Sequence, residues 1–300
     1  MKGWVKWSLG GVGLAILLAA GAVVVGLELA DDKMQRQVKV DVLPVAIAAD
    51  ATTLPRGKYL YDSRGCVDCH GANGAGREFI NDGKGMRVAG PNISPGAGNV
   101  VLRYTPEDWV RTLRHGVKPD GRPVLIMPSE DYNRLTDEDL GALVAHVKAL
   151  PPASGPAAVL ELPLPVRVLY GFGAIRDAAQ KIDHQLPPAK AVAEGVNPAH
   201  GAYVANMCIG CHGAGLSGGK IPGAPPDWAA ASNLTPGEGS VMARYPDAAV
   251  FVAMLRSGKR PDGTAISVMP FESLRALNDV DAQALYVFLK TVPARAAGQH

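Results

Sequence analysis

From Trp7 to Leu27 the chain runs 21 residues without a charged side chain, with Lys2 and Lys6 before it and Glu28, Asp31 and Asp32 after it. Coiled as a helix at 1.5 Å per residue, such a run spans about 31 Å, the thickness of a bilayer's hydrocarbon core. Lysines in front and acids behind predict a cytoplasmic N-terminus, with the rest of the chain exported. Ala20-Gly21-Ala22 has the small residues of a signal-peptide cleavage site. The apolar run nevertheless continues through Val23, Val24, Val25 and Leu27, longer than a signal core needs. Residues 1–30 are therefore read as an uncleaved transmembrane anchor.

Beyond residue 30 no segment sustains the alternation of a strand, and helical spacing recurs instead. Thr136-Asp137-Glu138-Asp139 opens a helix whose apolar face is Leu140, Leu143, Val144 and Val147, and Leu150-Pro151-Pro152 stops it. The same pattern runs from Asn278 through Leu285, Val287 and Phe288 to Val292-Pro293. Shorter helices are predicted to start at Thr105-Pro106-Glu107 and at Tyr245-Pro246-Asp247, with proline in the first turn, and one leads into each cysteine pair, around Tyr59 and Tyr203. The predicted class is all-α.

These matched elements belong to an internal repeat. A shift of 142 residues lays Cys66, Cys69, His70 and Gly71 on Cys208, Cys211, His212 and Gly213. It also superposes Arg114 on Arg256, Pro119-Asp120-Gly121 on Pro261-Asp262-Gly263, and Met127-Pro128 on Met269-Pro270. With a one-residue slip, Pro91-Asn92-Ile93-Ser94 corresponds to Ser232-Asn233-Leu234-Thr235. The expected domains are thus 50–152 and 196–300. A proline-rich linker at 153–195 joins them, and a short amphipathic helix within 166–182 is expected to pack on a module or on the membrane surface.

Composition narrows the function. A net charge of +2 speaks against a nucleic-acid partner. Thirteen basic residues balance thirteen acidic ones in 50–152, and eight stand against seven in 196–300, so charge does not reveal the sign of a protein partner's surface. Glycine (35) and proline (24) imply loop-rich modules, and with few aromatics the cores need Ala, Val and Leu or a filler that is not protein.

All four cysteines lie in Cys66-Val67-Asp68-Cys69-His70 and Cys208-Ile209-Gly210-Cys211-His212. Cys-x-x-Cys alone fits a redox dithiol, a zinc knuckle or haem attachment. The adjoining histidine, present twice, selects haem c: two thiols one helical turn apart form thioethers to the vinyl groups, and the imidazole meets the iron. A disulfide requires no such histidine, and zinc requires both pairs to converge from separate modules. Two covalent haems follow, with Cys66, Cys69, Cys208 and Cys211 attaching them and His70 and His212 as axial ligands.

Met127 lies 57 residues after His70 and Met269 lies 57 after His212, each followed by proline. That equal spacing makes them the expected distal ligands. By contrast, His115 and His146 align with Ser257 and Phe288, and Met86, Met207, Met242 and Met254 have no methionine counterpart. Further expectations are Arg114 and Arg256 on the haem propionates, Asn92 and Asn233 ordering the loop beside the haem, and Trp109 or Trp228 packing on it.

Arg56-Gly57-Lys58-Tyr59-Leu60, the two Cys-x-x-Cys-His runs, Asn233-Leu234-Thr235-Pro236 and Arg260-Pro261-Asp262-Gly263 resemble membrane-anchored dihaem cytochromes c with two tandem class I domains. The chain is especially similar to the cytochrome subunits of periplasmic alcohol, sugar and aldehyde dehydrogenases, although those often carry three haem modules. The resemblance implies a cytochrome at the periplasmic face of the bacterial inner membrane. It would carry electrons from a dehydrogenase or quinol-oxidising complex to a downstream cytochrome or terminal oxidase. The alternatives are a haem enzyme of the dihaem peroxidase or thiosulfate-oxidising type, a haem-based sensor, and a fixed subunit of a respiratory oxidase. A peroxidase or thiosulfate-oxidising site needs an open distal position or a spare ligand, against which the matched methionines speak.

Overall fold

The computed structural model describes residues 3–299; Met1, Lys2 of the expected basic flank, and His300 lie outside the described residues. Helix α1 (Gly3–Gln35) is 33 residues long and covers the whole apolar run, so it is long and apolar enough to cross a bilayer. Its side chains from Trp7 to Ala22 are exposed.

The first helical module comprises α2 (Thr53–Ser63), α3 (Cys66–His70), α4 (Pro106–His115), α5 (Ser129–Tyr132) and α6 (Asp137–Ala149). The linker contributes two short helices, α7 (Leu164–Gly171) and α8 (Ala178–Lys181), where one was expected. Gly173 at φ 84° and the turn to Asp177, the N-cap of α8, separate them. The second module repeats the set as α9 (Pro198–Ala205), α10 (Ile209–His212), α11 (Ala248–Ser257), α12 (Phe271–Ala276) and α13 (Asp279–Leu289).

Capping residues start the helices where the sequence places them. Thr105 closes a capping box with Asp108 on α4, Thr136 caps α6, Asp247 caps α11 and Asn278 caps α13. Each module has its own apolar cluster. Leu60, Tyr61, Leu140, Leu143 and Val144 centre the first, and Val204, Leu255, Leu277, Leu285 and Leu289 the second. The entry helix crosses the last helix at a glycine in both. A Cβ on Gly57 would lie 2.0 Å from the Ala142 carbonyl oxygen, and one on Gly201 would lie 2.0 Å from that of Ala284. Only glycine allows so close an approach.

A small antiparallel sheet departs from the strand-free expectation. Strands β1 (Glu78–Asn81), β2 (Arg87–Ala89) and β3 (Val159–Glu161) pair in that order, with Arg87 bonded to Glu78 and Glu161 on either side. Three- and four-residue strands are too short to show alternation, and β3 comes from the linker, so the pairing is long-range. The linker also packs back on the first module: the Asn92 N–H donates to Pro156 O at 3.0 Å. Val45, before residue 50, is buried in the same module's cluster.

Candidate functional site

Helix α3 is the Cys-x-x-Cys-His run itself, and a short 3-10 turn (Asn206–Cys208) followed by α10 carries the second copy. His70 Nδ1 lies 2.9 Å from the Pro91 carbonyl oxygen, and His212 Nδ1 lies 2.8 Å from that of Ser232. A carbonyl only accepts, so Nδ1 carries the proton in both rings and Nε2 keeps a lone pair. Burial pulls both imidazoles below the usual histidine pKa, against the opposing carbonyl bonds, so they are neutral at pH 7. Such a ring is prepared as a metal ligand.

The asparagine after each of those carbonyls holds the loop. Fully buried Asn92 donates through Nδ2 to Ala97 O at 2.8 Å and Ala153 O at 2.7 Å, and its Oδ1 accepts the Ser94 N–H and hydroxyl. Asn233 does the same with Glu238 O, Arg295 O and Thr235. Each amide therefore pins three stretches of main chain around the carbonyl that orients its histidine.

All four cysteines are unpaired. Burial pushes the thiols of Cys66, Cys69 and Cys208 up to about 12 and that of Cys211 up to about 11. Reactive dithiols show the opposite shift. Among the described residues no three His, Cys, Asp or Glu side chains converge to hold a metal ion. Met127 packs on the same cluster as Cys66, and Met269 on the same cluster as Cys208, each in a turn closed by a bond from two residues on to the methionine carbonyl. The donors in each module fit a covalent haem: two neutral thiols on one turn, a neutral imidazole with a free Nε2, and a thioether against the same core.

The arginines are engaged by protein. Buried Arg114 reaches Leu135 O and Asp137 at the start of α6, and Arg256 reaches Arg275 O and Asp279 at the start of α13. Both tie their module's last helix to the helix before the methionine turn. His115 pairs with His184 at 3.1 Å, and His146 lies edge-on to Tyr61. Trp109 is buried against Tyr104, whereas Trp228 is partly exposed.

Sequence reasoning missed the junction between modules, although its residues lay in the repeat. Asp139 receives Arg56 from its own module and the Tyr203 hydroxyl from the other, at 2.7 and 2.6 Å. Asp281 receives His200 from its own module and the Tyr59 hydroxyl from the other, at 2.7 and 2.6 Å. Tyr203 and Tyr59 accept the Thr136 and Asn278 N–H groups, so the junction is a pseudo-two-fold. Buried Arg64 adds a 2.5 Å ion pair to Asp281. Each module's post-methionine helix also touches the other's cysteine turn. Asp131 Oδ1 accepts the Gly210 N–H at 2.6 Å, while Ser273 donates to Asp68 and accepts the Gly65 N–H.

A helical module built around a Cys-x-x-Cys-His turn with an oriented histidine defines a cytochrome c domain. Residues 52–147 match the family described as cytochrome c oxidase, cbb3-type, subunit III. Over 277 residues, 84% of the chain, the protein is 28% identical to the fructose dehydrogenase cytochrome subunit of Gluconobacter japonicus, covering 55% of it. It is 26% identical to the cytochrome c subunit of the quinone alcohol dehydrogenase of Gluconobacter oxydans (strain 621H), over 84% of this chain and 57% of that one. It is also 26% identical to a diheme cytochrome c-type protein of Cereibacter sphaeroides, over 94% of this chain and 97% of that one. The chain spans about half the length of the two dehydrogenase subunits. The chain is thus similar to c-type cytochromes, and its residues 52–147 match one of their families.

Proposed function

We propose that both modules, 50–152 and 196–300, are haem domains, and that the protein is a dihaem electron carrier anchored at the periplasmic face of the inner membrane. Cys66 and Cys69 attach one haem and Cys208 and Cys211 the other. His70 with Met127, and His212 with Met269, complete the two axial ligand sets. The observation that carries this reading is the twin arrangement in which a buried asparagine fixes the carbonyl that fixes the histidine. The bound haem supplies one-electron chemistry at iron, with a potential raised by methionine ligation. The chain's part is to hold both ligands, keep the imidazoles neutral and shield the cysteine turns at the junction. On this reading the donor is a periplasmic dehydrogenase, as the named relatives favour, or a quinol-oxidising complex. The acceptor is a downstream cytochrome or terminal oxidase.

The optical spectrum of the detergent-purified, dithionite-reduced protein tests this, together with a haem count per chain. Two low-spin haems unchanged by carbon monoxide are expected. One haem per chain, or ready carbon monoxide binding, would overturn the two-carrier assignment and favour a haem enzyme. The family match of 52–147 supports a second reading, a fixed subunit of a respiratory oxidase. Copurification with oxidase subunits, and not with a dehydrogenase, would select it.

A further inference from the structure

The linker helix α7 packs on α1 at one defined level. A Cβ on Gly171 would lie 2.0 Å from the Gly26 carbonyl oxygen, and one on Gly26 would lie 2.9 Å from Val168 and from the Phe172 ring. Above this crossing polar bonds take over. Lys33 donates to Tyr170 O at 3.1 Å, Arg167 pairs with Asp31 at 2.8 Å, and Arg36 forms a forked pair with Asp177, both bonds 2.7 Å. Tyr170 donates to the same buried Asp177. Asp177 caps α8, whose Lys181 reaches Glu130 of the first module. A continuous set of contacts thus joins α1 to that module.

Gly26 lies 19 residues beyond Trp7, about 28 Å along the helix at 1.5 Å per residue. That distance nearly equals the roughly 30 Å of hydrocarbon in a bilayer. The crossing therefore falls where the apolar run ends and the charges of α1 begin. At about 100° per residue, Leu164, Pro165, Val168, Leu169 and Phe172 fall within a stripe of roughly 140°, with Arg167 and Tyr170 on the opposite side. Val168 packs on α1 at Gly26, and the rest of the stripe is open: Leu164 is 53% exposed, Leu169 47% and Phe172 54%. At the level of this crossing, Val24, Val25 and Leu29 of α1 are exposed as well.

We infer that α7 lies in the outer interface of the lipid bilayer, its apolar stripe in the acyl-chain boundary and Arg167 and Tyr170 facing outward. The inference rests on the reading of α1 as a membrane span. The occupant follows from position, since the stripe and the surface that α1 presents to lipid are both open at the depth where hydrocarbon ends. The consequence is a fixed posture: the Arg36–Asp177 pair and the Gly26–Gly171 crossing hold the first module at one height and tilt over the membrane, so redox partners approach a set face.

The full-length holoprotein in vesicles of phosphatidylcholine and phosphatidylglycerol, doped with a phosphatidylcholine carrying a diazirine on its acyl chain, tests this. After illumination, mass spectrometry locates the lipid adducts. Adducts are expected on α1 and on residues 164–172, and not on exposed Leu186, Val192 or Val196. The double variant Leu169→Asp, Phe172→Asp, with an unchanged haem spectrum, should lose the α7 adducts and keep those on α1. Adducts on α1 with none on 164–172 would overturn the inference and leave the anchor standing. Adducts on neither would remove the anchor reading itself.

Discussion

At the scale of residues, the site depends on hydrogen bonds that fix which imidazole nitrogen is free. A histidine able to rotate or to change tautomer loses the aim of its lone pair, and the Pro91 and Ser232 carbonyls prevent both. Asn92 and Asn233 act one step behind, each with four of its bonds satisfied inside the protein. The methionines stand on sequence spacing and on packing against the same cores as Cys66 and Cys208. Met127→Ala should therefore open one haem to carbon monoxide and lower its potential by on the order of 100 mV, within the ≈ 0.8 V that axial ligation spans. Met269→Ala should do so at the other haem. Redox titration of each variant checks this, and an unchanged potential and oxidised spectrum would remove that methionine from the ligand set.

At the scale of elements, each module closes by pressing its entry helix on its last helix, α2 on α6 and α9 on α13. Gly57 and Gly201 permit the contact, and Arg114 and Arg256 tie the start of the last helix to the end of α4 and α11. An added methyl group at the crossing has no room, because what it meets is main chain. Gly57→Ala should cost about 1–3 kcal/mol, the usual range for overpacking, and lower the melting temperature of the holoprotein. Gly201→Ala should behave alike. A variant melting with the parent would mean that the two helices can separate without loss.

At the scale of the whole molecule, the pseudo-two-fold junction makes one body of two modules, and its two halves are not equivalent. Where Ser273 meets the first cysteine turn, Asp131 meets the second. Burial, with the neighbouring Glu130, lifts the Asp131 carboxyl well above the usual range, against the Gly210 N–H and Lys181. A group whose pKa is raised on folding contributes fully below its unfolded value and loses that contribution as pH rises through the folded value. The junction should thus weaken above about pH 4, where an unfolded aspartate is ionised. Asp131→Asn keeps an acceptor for Gly210 and removes the charge. Its melting temperature should exceed the parent's at pH 8 and converge with it at acid pH, as calorimetry across that range would show. Parallel curves would mean that Asp131 does not titrate at the junction.

Much of this was legible in the residues. The apolar run, the helix caps at Thr105, Thr136, Asp247 and Asn278, and the Cys-x-x-Cys-His turns are encoded in short stretches, where spacing and side-chain type act directly on the local backbone. Duplication made more visible, since equal intervals from histidine to methionine and the repeated asparagine mark positions that one copy would not single out. Tertiary structure alone decided what depends on groups far apart in the chain. It closed a sheet with a strand from the linker, turned Arg114 and Arg256 onto main-chain carbonyls, and crossed Tyr59 and Tyr203 onto the opposite module's aspartates. It also set α7 on α1 at Gly26. Such pairings arise from which surfaces are left to bury once the local elements have formed, and no short-range pattern records that outcome.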